Sequence, residues 1–89
     1  MSEELDLLRK QIDSIDDQLA DLFLQRMKVV EQVAQLKREE SIPVLHSGRE
    51  DQILQRLTEG LNSEQARSLE ALYRQMFEIS REAQSHDGT

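Results

Sequence analysis

The sequence predicts an all-α protein of three helices, one long, one short and one medium, assembled as a homodimeric bundle. Three observations carry that expectation. No Gly or Pro interrupts the chain from Glu3 to about Glu40, and apolar residues recur through that stretch on a heptad beat. The breakers cluster at Pro43, Gly48, Gly60 and Gly88, which divide the rest into two shorter periodic segments. The apolar supply is also lean: hydrophobic residues make up 37% of 89 residues and aromatic ones 3%, with no Trp. A chain of this length forms one domain, 1–89, and such a core is thin for a monomer, so a partner chain is expected.

The first helix is read from Glu3 to about Glu40, roughly 36 residues and about 54 Å at 1.5 Å per residue. With Leu5 at position a, the a residues are Leu5, Ile12, Leu19, Arg26 and Val33, and the d residues are Leu8, Ile15, Leu22, Val29 and Leu36. The remaining fifty or so residues cannot cover a stripe that long, so most of it should meet a second copy of itself. Ser41 to His46 form a loop, because Pro43 forbids helix continuation. Ser47 and Glu50 have the spacing of a capping box for the second helix, which buries Ile53, Leu54 and Leu57 and runs to about Glu59 before Gly60. Asn62 caps the third helix with Gln65 at its third position and a Leu61–Ala66 staple. Leu69, Leu72, Met76, Ile79 and Ala83 carry its apolar seam, and the tail from Ser85 to Thr89 frays.

Composition excludes several functions. The net charge of −7 argues against nucleic acid, whose phosphates need a basic field. With no Cys there are no disulfides, thiolate zinc sites or cysteine nucleophiles, and His46 and His86 are too few and too far apart for a metal site. No apolar run approaches the ~20 residues of a membrane span, and the acidic N-terminus MSEELDLLRK lacks the apolar centre of a signal peptide. A cytoplasmic protein is expected. An anion site in so acidic a chain must rest on close, aimed cations.

Such cations stand where a solvated surface would not put them. Arg26 occupies an a position of the long seam. A register-setting polar residue, or an Arg that snorkels to the bundle edge, would account for it alone. Lys37 follows eleven residues later, about 20° past a whole number of turns, so both leave one face about 16 Å apart. Two extended cationic side chains there could converge on a molecule of benzoate size. Arg9 flanks the same seam beside Leu8, where a solvated charge is the simplest reading. On the third helix, Tyr73, Phe77, Ser80 and Gln84 form a second stripe that begins aromatic and ends in a hydroxyl and an amide. That stripe either runs out toward a frayed end or supplies the polar wall of a pocket. Arg49 and Glu50 open the second helix, where Glu50 already has a capping role. Spacing supports an anion pocket inside a helical dimer and leaves the anion unidentified.

The segments LLRKQIDSID, LFLQRMKVVEQVAQLK, IPVLHSGRED and ISREAQ resemble, in order and spacing, the all-helical class of chorismate mutases. The likeness runs from Leu5 to Gln84. It implies an intertwined dimer whose first helices pair along their length, with two equivalent sites, each completed by Arg9 of the other chain. It also implies the rearrangement of chorismate to prephenate on the route to phenylalanine and tyrosine, without cofactor or metal. By that resemblance Arg9 and Arg26 bind the substrate carboxylates with support from Ser80. Lys37 and Gln84 face the ether oxygen as the catalytic pair, Glu50 accepts from the ring hydroxyl, and Arg49 orders Lys37 and Glu50. Many relatives carry an acidic residue where this chain has His46, so a backbone contact or a weaker grip on the hydroxyl is expected there. An isochorismate–pyruvate lyase shares the helical fold and much of the cationic pocket, though Glu50 favours a mutase. A non-catalytic helical dimerisation or regulatory module is the other alternative.

Overall fold

The structure, a computed structural model, describes residues 2–45 and 47–86. Among them are three helices and no strand: α1 (Glu3–Glu40), α2 (Ser47–Thr58) and α3 (Ser63–His86). The expected order of long, short and medium elements is present. His46 and the Ser47 side chain, expected to cap α2, lie outside the described residues, as does the tail beyond His86.

Each boundary has a local cause. Ser2 lies in extended conformation ahead of α1, and its Oγ accepts from the Leu5 N–H at 3.0 Å. Glu3, Glu4 and Asp6 sit in the first turn and Lys37 and Arg38 in the last, each sign complementing the helix dipole. At the other end Ser41 adopts the left-handed conformation, φ 57° and ψ 38°, and the Ile42 N–H returns to the Lys37 carbonyl at 2.8 Å. That closure satisfies carbonyls the helix leaves open. α2 ends at Thr58, one residue before the expected limit, where the Thr58 hydroxyl donates to the Leu54 carbonyl. Gly60 then takes φ +80°, a conformation that favours glycine. Asn62 and Gln65 form the expected reciprocal cap: Gln65 N–H donates to Asn62 Oδ1 at 2.8 Å, and Asn62 N–H to Gln65 Oε1 at 3.4 Å.

α3 packs against both other helices. Ile53 and Leu54 of α2 and Phe77 of α3 form the buried cluster, with Leu57 and Tyr73 packed against it. On α3 the buried positions are Phe77, Ser80 and Gln84, the second stripe of the sequence. The apolar seam expected there is less covered, with Leu72 53% exposed. It lines an open groove, Leu69, Leu72, Met76 and Ile79 facing Leu19, Leu22 and Phe23 of α1.

The α1 seam itself is uncovered in the single chain. Apart from Arg26, its a and d residues range from 41% exposed at Val33 to 59% at Leu22. The chain measures 57 × 28 × 15 Å, with a radius of gyration of 16.8 Å against about 12 Å for a compact domain of this length. α1 therefore extends as a rod well beyond the cluster that α2 and α3 build.

Candidate functional site

The site begins at Arg26, where the long seam turns polar. Its guanidinium lies over two rings of α3, 6.0 Å from the Tyr73 centroid and 5.9 Å from that of Phe77. The rings meet edge to face, so the cation rests against a fixed aromatic corner. Arg26 Nη1 donates to Ser80 Oγ at 2.9 Å, engaging one of five N–H donors. Ser80 is buried and follows Phe77 by three residues, so one turn of α3 supplies both the ring and the hydroxyl that hold Arg26.

Eleven residues on, Lys37 reaches the same space. Its Nζ donates to the Val44 carbonyl at 2.9 Å, tying the α1 terminus to the following loop. Two ammonium protons remain for another acceptor. From α2, Glu50 enters and accepts at Oε2 from Arg81 Nη1 of α3 at 2.5 Å. Gln84, one turn beyond Ser80, donates from Nε2 to the Ser80 carbonyl at 3.3 Å. Its Oε1 is buried without a partner among the described residues.

These side chains surround a single cavity of about 280 Å³, near the lower end for small-molecule sites. α1 contributes Arg26 and Lys37 above a floor of Val29, Val30 and Val33; α2 contributes Arg49, Glu50 and Ile53; α3 contributes Phe77, Ser80, Arg81 and Gln84. Four cationic side chains thus face one carboxylate, in a chain whose net charge is −7. The concentration of positive charge against an apolar floor suits a small organic anion.

Of the residues singled out in the sequence, the structure brings together Arg26, Lys37, Arg49, Glu50, Ser80 and Gln84. Arg9 is not among them. It is exposed on α1 seventeen residues before Arg26, about 25 Å along the axis. Arg49 lines the cavity but bonds neither Lys37 nor Glu50 among the described residues; their partners are the Val44 carbonyl and Arg81. Arg81 itself escaped the sequence reading. It stands four residues after Phe77 and three before Gln84, beside the stripe that lines the cavity, a placement that its charged neighbours Glu78 and Glu82 disguise as a solvated face. Among the described residues no cluster of three or more His, Asp or Glu side chains could hold a metal ion, and no helix is long and apolar enough to cross a membrane.

The geometry meets its counterpart in the family of the sequence. The family model described as chorismate mutase type II matches residues 8–85, all but the two ends of the chain. The chain belongs to that family. A solved structure of a conserved hypothetical protein from Pyrococcus furiosus is also similar, with a TM-score of 0.80 at 28% identity, over 94% of this chain and 99% of that one. No curated protein matches the chain. Membership in the chorismate mutase type II family gives the cationic cavity a chemical context, since chorismate carries two carboxylates on one small ring compound.

Proposed function

We propose that this chain, as a homodimer, converts chorismate to prephenate by a [3,3] rearrangement. The observation that carries the reading is the gathering of Arg26, Lys37, Arg49 and Arg81, with Glu50 and Gln84, around one cavity of a strongly acidic family member. A dianion drawn to such a chain must be held by short-range cations, and these are the ones available.

The reaction needs no group from outside the substrate. The ether C–O bond breaks as a C–C bond forms, six electrons move around a ring of six atoms, and no proton enters or leaves. What the protein can supply is conformation and charge. Guanidinium forks bind carboxylates through two parallel hydrogen bonds, a task for Arg26 and the partner subunit's Arg9. Ser80 supports it by fixing the Arg26 fork from below. Holding both carboxylates places the enolpyruvyl arm over the ring, which selects the reactive conformer.

As the C–O bond stretches, negative charge grows on the ether oxygen. Lys37 has two ammonium protons to offer and Gln84 has one amide proton beyond that given to Ser80. A cation and a neutral donor aimed at that oxygen favour the transition state over the ground state. Glu50 accepts from the ring hydroxyl through the carboxylate oxygen that Arg81 leaves unbound. Arg49 adds positive potential at the mouth of α2.

The assay that tests this is incubation of the purified protein with chorismate and, separately, isochorismate, with products separated by chromatography. Prephenate from chorismate is expected, and Lys37→Ala should lower kcat by about 10²–10³-fold, the usual cost of one aimed donor at a developing oxyanion. Pyruvate and salicylate from isochorismate alone would reassign the site to a lyase. Turnover of neither would leave a helical module without catalysis.

A further inference from the structure

Arg81 lends the cavity positive charge but touches no substrate group in the reaction proposed above, and its partner among the described residues is Glu50. We infer that Arg81 is a positioning residue: its ion pair with Glu50 holds the pocket's one carboxylate in the orientation that receives a substrate hydroxyl. The inference rests on the proposed mutase reading and extends it to a residue of this chain.

The geometry supports it in three ways. Arg81 Nη1 occupies Oε2 of Glu50 at 2.5 Å, and Oε1 has no partner among the described residues. One oxygen is thereby anchored while the other keeps its lone pairs for a donor from the ligand. The pair also bridges α2 and α3 across 31 residues of sequence, with only 34% and 21% of the two side chains exposed, so it is poorly screened by solvent. Finally, Ser80 and Arg81 are neighbours on α3 and hold side chains on different walls of the cavity, Ser80 the Arg26 guanidinium and Arg81 the Glu50 carboxylate. A single turn of α3 thus sets both the anion-binding and the hydroxyl-binding groups.

The alternative state explains why anchoring matters. Glu50 shares the cavity with Lys37 and Arg49. A Glu50 released from Arg81 has both cations as candidate partners. Pairing with either would neutralise a charge the substrate needs and leave a carboxylate turned toward a dianion. Arg81 is therefore expected to affect both substrate binding and the chemical step, and only through Glu50.

The experiment is a double-mutant cycle read by steady-state kinetics on chorismate. Arg81→Ala is the direct variant; Arg81→Met retains the apolar stem and serves where the shorter side chain unfolds the protein. Either should lower kcat/KM on the order of tenfold, with KM raised and kcat lowered, a coupling in the usual range for paired charged residues. Arg81→Lys should recover part of the loss. In a Glu50→Gln background the same Arg81 substitution should cost nothing further. Wild-type kcat and KM in a folded Arg81 variant with a lowered melting temperature would make the pair merely structural and overturn the inference. An equal loss in both backgrounds would also overturn it, by showing that Arg81 acts independently of Glu50. A wild-type protein inactive on chorismate would instead remove the mutase reading and this inference with it.

Discussion

The α2–α3 junction and the α1 seam use the same kinds of residue and meet opposite fates. At the junction, Ile53, Leu54 and Phe77 are at most 8% exposed, enclosed by their own chain. Along α1, ten heptad positions hold nine aliphatic residues, and every one of the nine is more than 40% exposed. Burial normally contributes about 25 cal/mol per Å², so the seam represents stabilisation that one chain leaves unused. Contiguous apolar surface on this scale belongs to interfaces. The contrast separates what the chain covers by itself from what it leaves bare: α2 and α3 build one wall of the site within the chain, and α1 brings Arg26 and Lys37 to that wall on a rod whose outer face is exposed.

The largest expected effect tests that bare face. Ile15 is 55% exposed and lines no cavity among those described. In an isolated monomer, Ile15→Glu is a surface change worth within about 0.5 kcal/mol. In an α1–α1 dimer the same change buries two like charges at a symmetric seam, because an isologous interface repeats each residue. Activity should fall by about 10²-fold or more at micromolar protein. Sedimentation should show the dimer lost. Retained activity and mass would mean the seam is covered some other way.

What the sequence disclosed, and what it hid, follows the same divide. α1 was legible because thirty-eight residues without a breaker carry one heptad pattern, aliphatic at nine of ten a and d positions, a signal that the single exception at Arg26 does not mask. The Asn62–Gln65 cap was legible because capping is a four-residue code. Arg26 stands out because a charge at an a position violates the periodicity, and Lys37 because it leaves the same face eleven residues on; both line the cavity. Arg81 was hidden for the converse reason. Glu78, Arg81 and Glu82 read as an ordinary charged face, and only the approach of α2, fixed by Ile53 and Leu54 against Phe77, puts Glu50 opposite it. The left-handed Ser41 was equally hidden, since nothing in Glu-Ser-Ile-Pro demands a positive φ at a serine. Local codes and violated periodicities show in the sequence; contacts across helices wait for the packing.

A second, smaller effect sharpens the comparison by asking what crosses the seam. Arg9 sits far from its own chain's cavity yet is expected to serve the partner's, so Arg9→Ala should lower kcat/KM by about 10²-fold on the scale of a lost aimed donor. Mixing decides whether it acts across chains. Co-refolded Arg9→Ala and Lys37→Ala chains form heterodimers in about half of the population, each with one site that has both residues. About a quarter of wild-type activity should return from two nearly inactive proteins. If Arg9 served its own chain, no mixture would regain activity.

The smallest effect on catalysis is expected on the autonomous side, at Leu54. It is 8% exposed, packs in the cluster with Ile53 and Phe77, and is absent from the cavity wall that Ile53 and Phe77 both reach. Leu54→Ala removes buried methyl groups and leaves a void that the short α2 can only partly close, a loss of about 2–5 kcal/mol. Chemical denaturation should report that loss as a lowered midpoint. Below the transition, kcat and KM should stay near wild type, because Phe77 still supports Arg26 and Arg81 still anchors Glu50. A fall in kcat in the folded variant would show that the cluster controls the angle of α2 to α3, and hence the Glu50–Arg81 distance. Leu54 would then act on the site through the helix packing, and the separation between the covered core and the bare seam would need to be redrawn at α3.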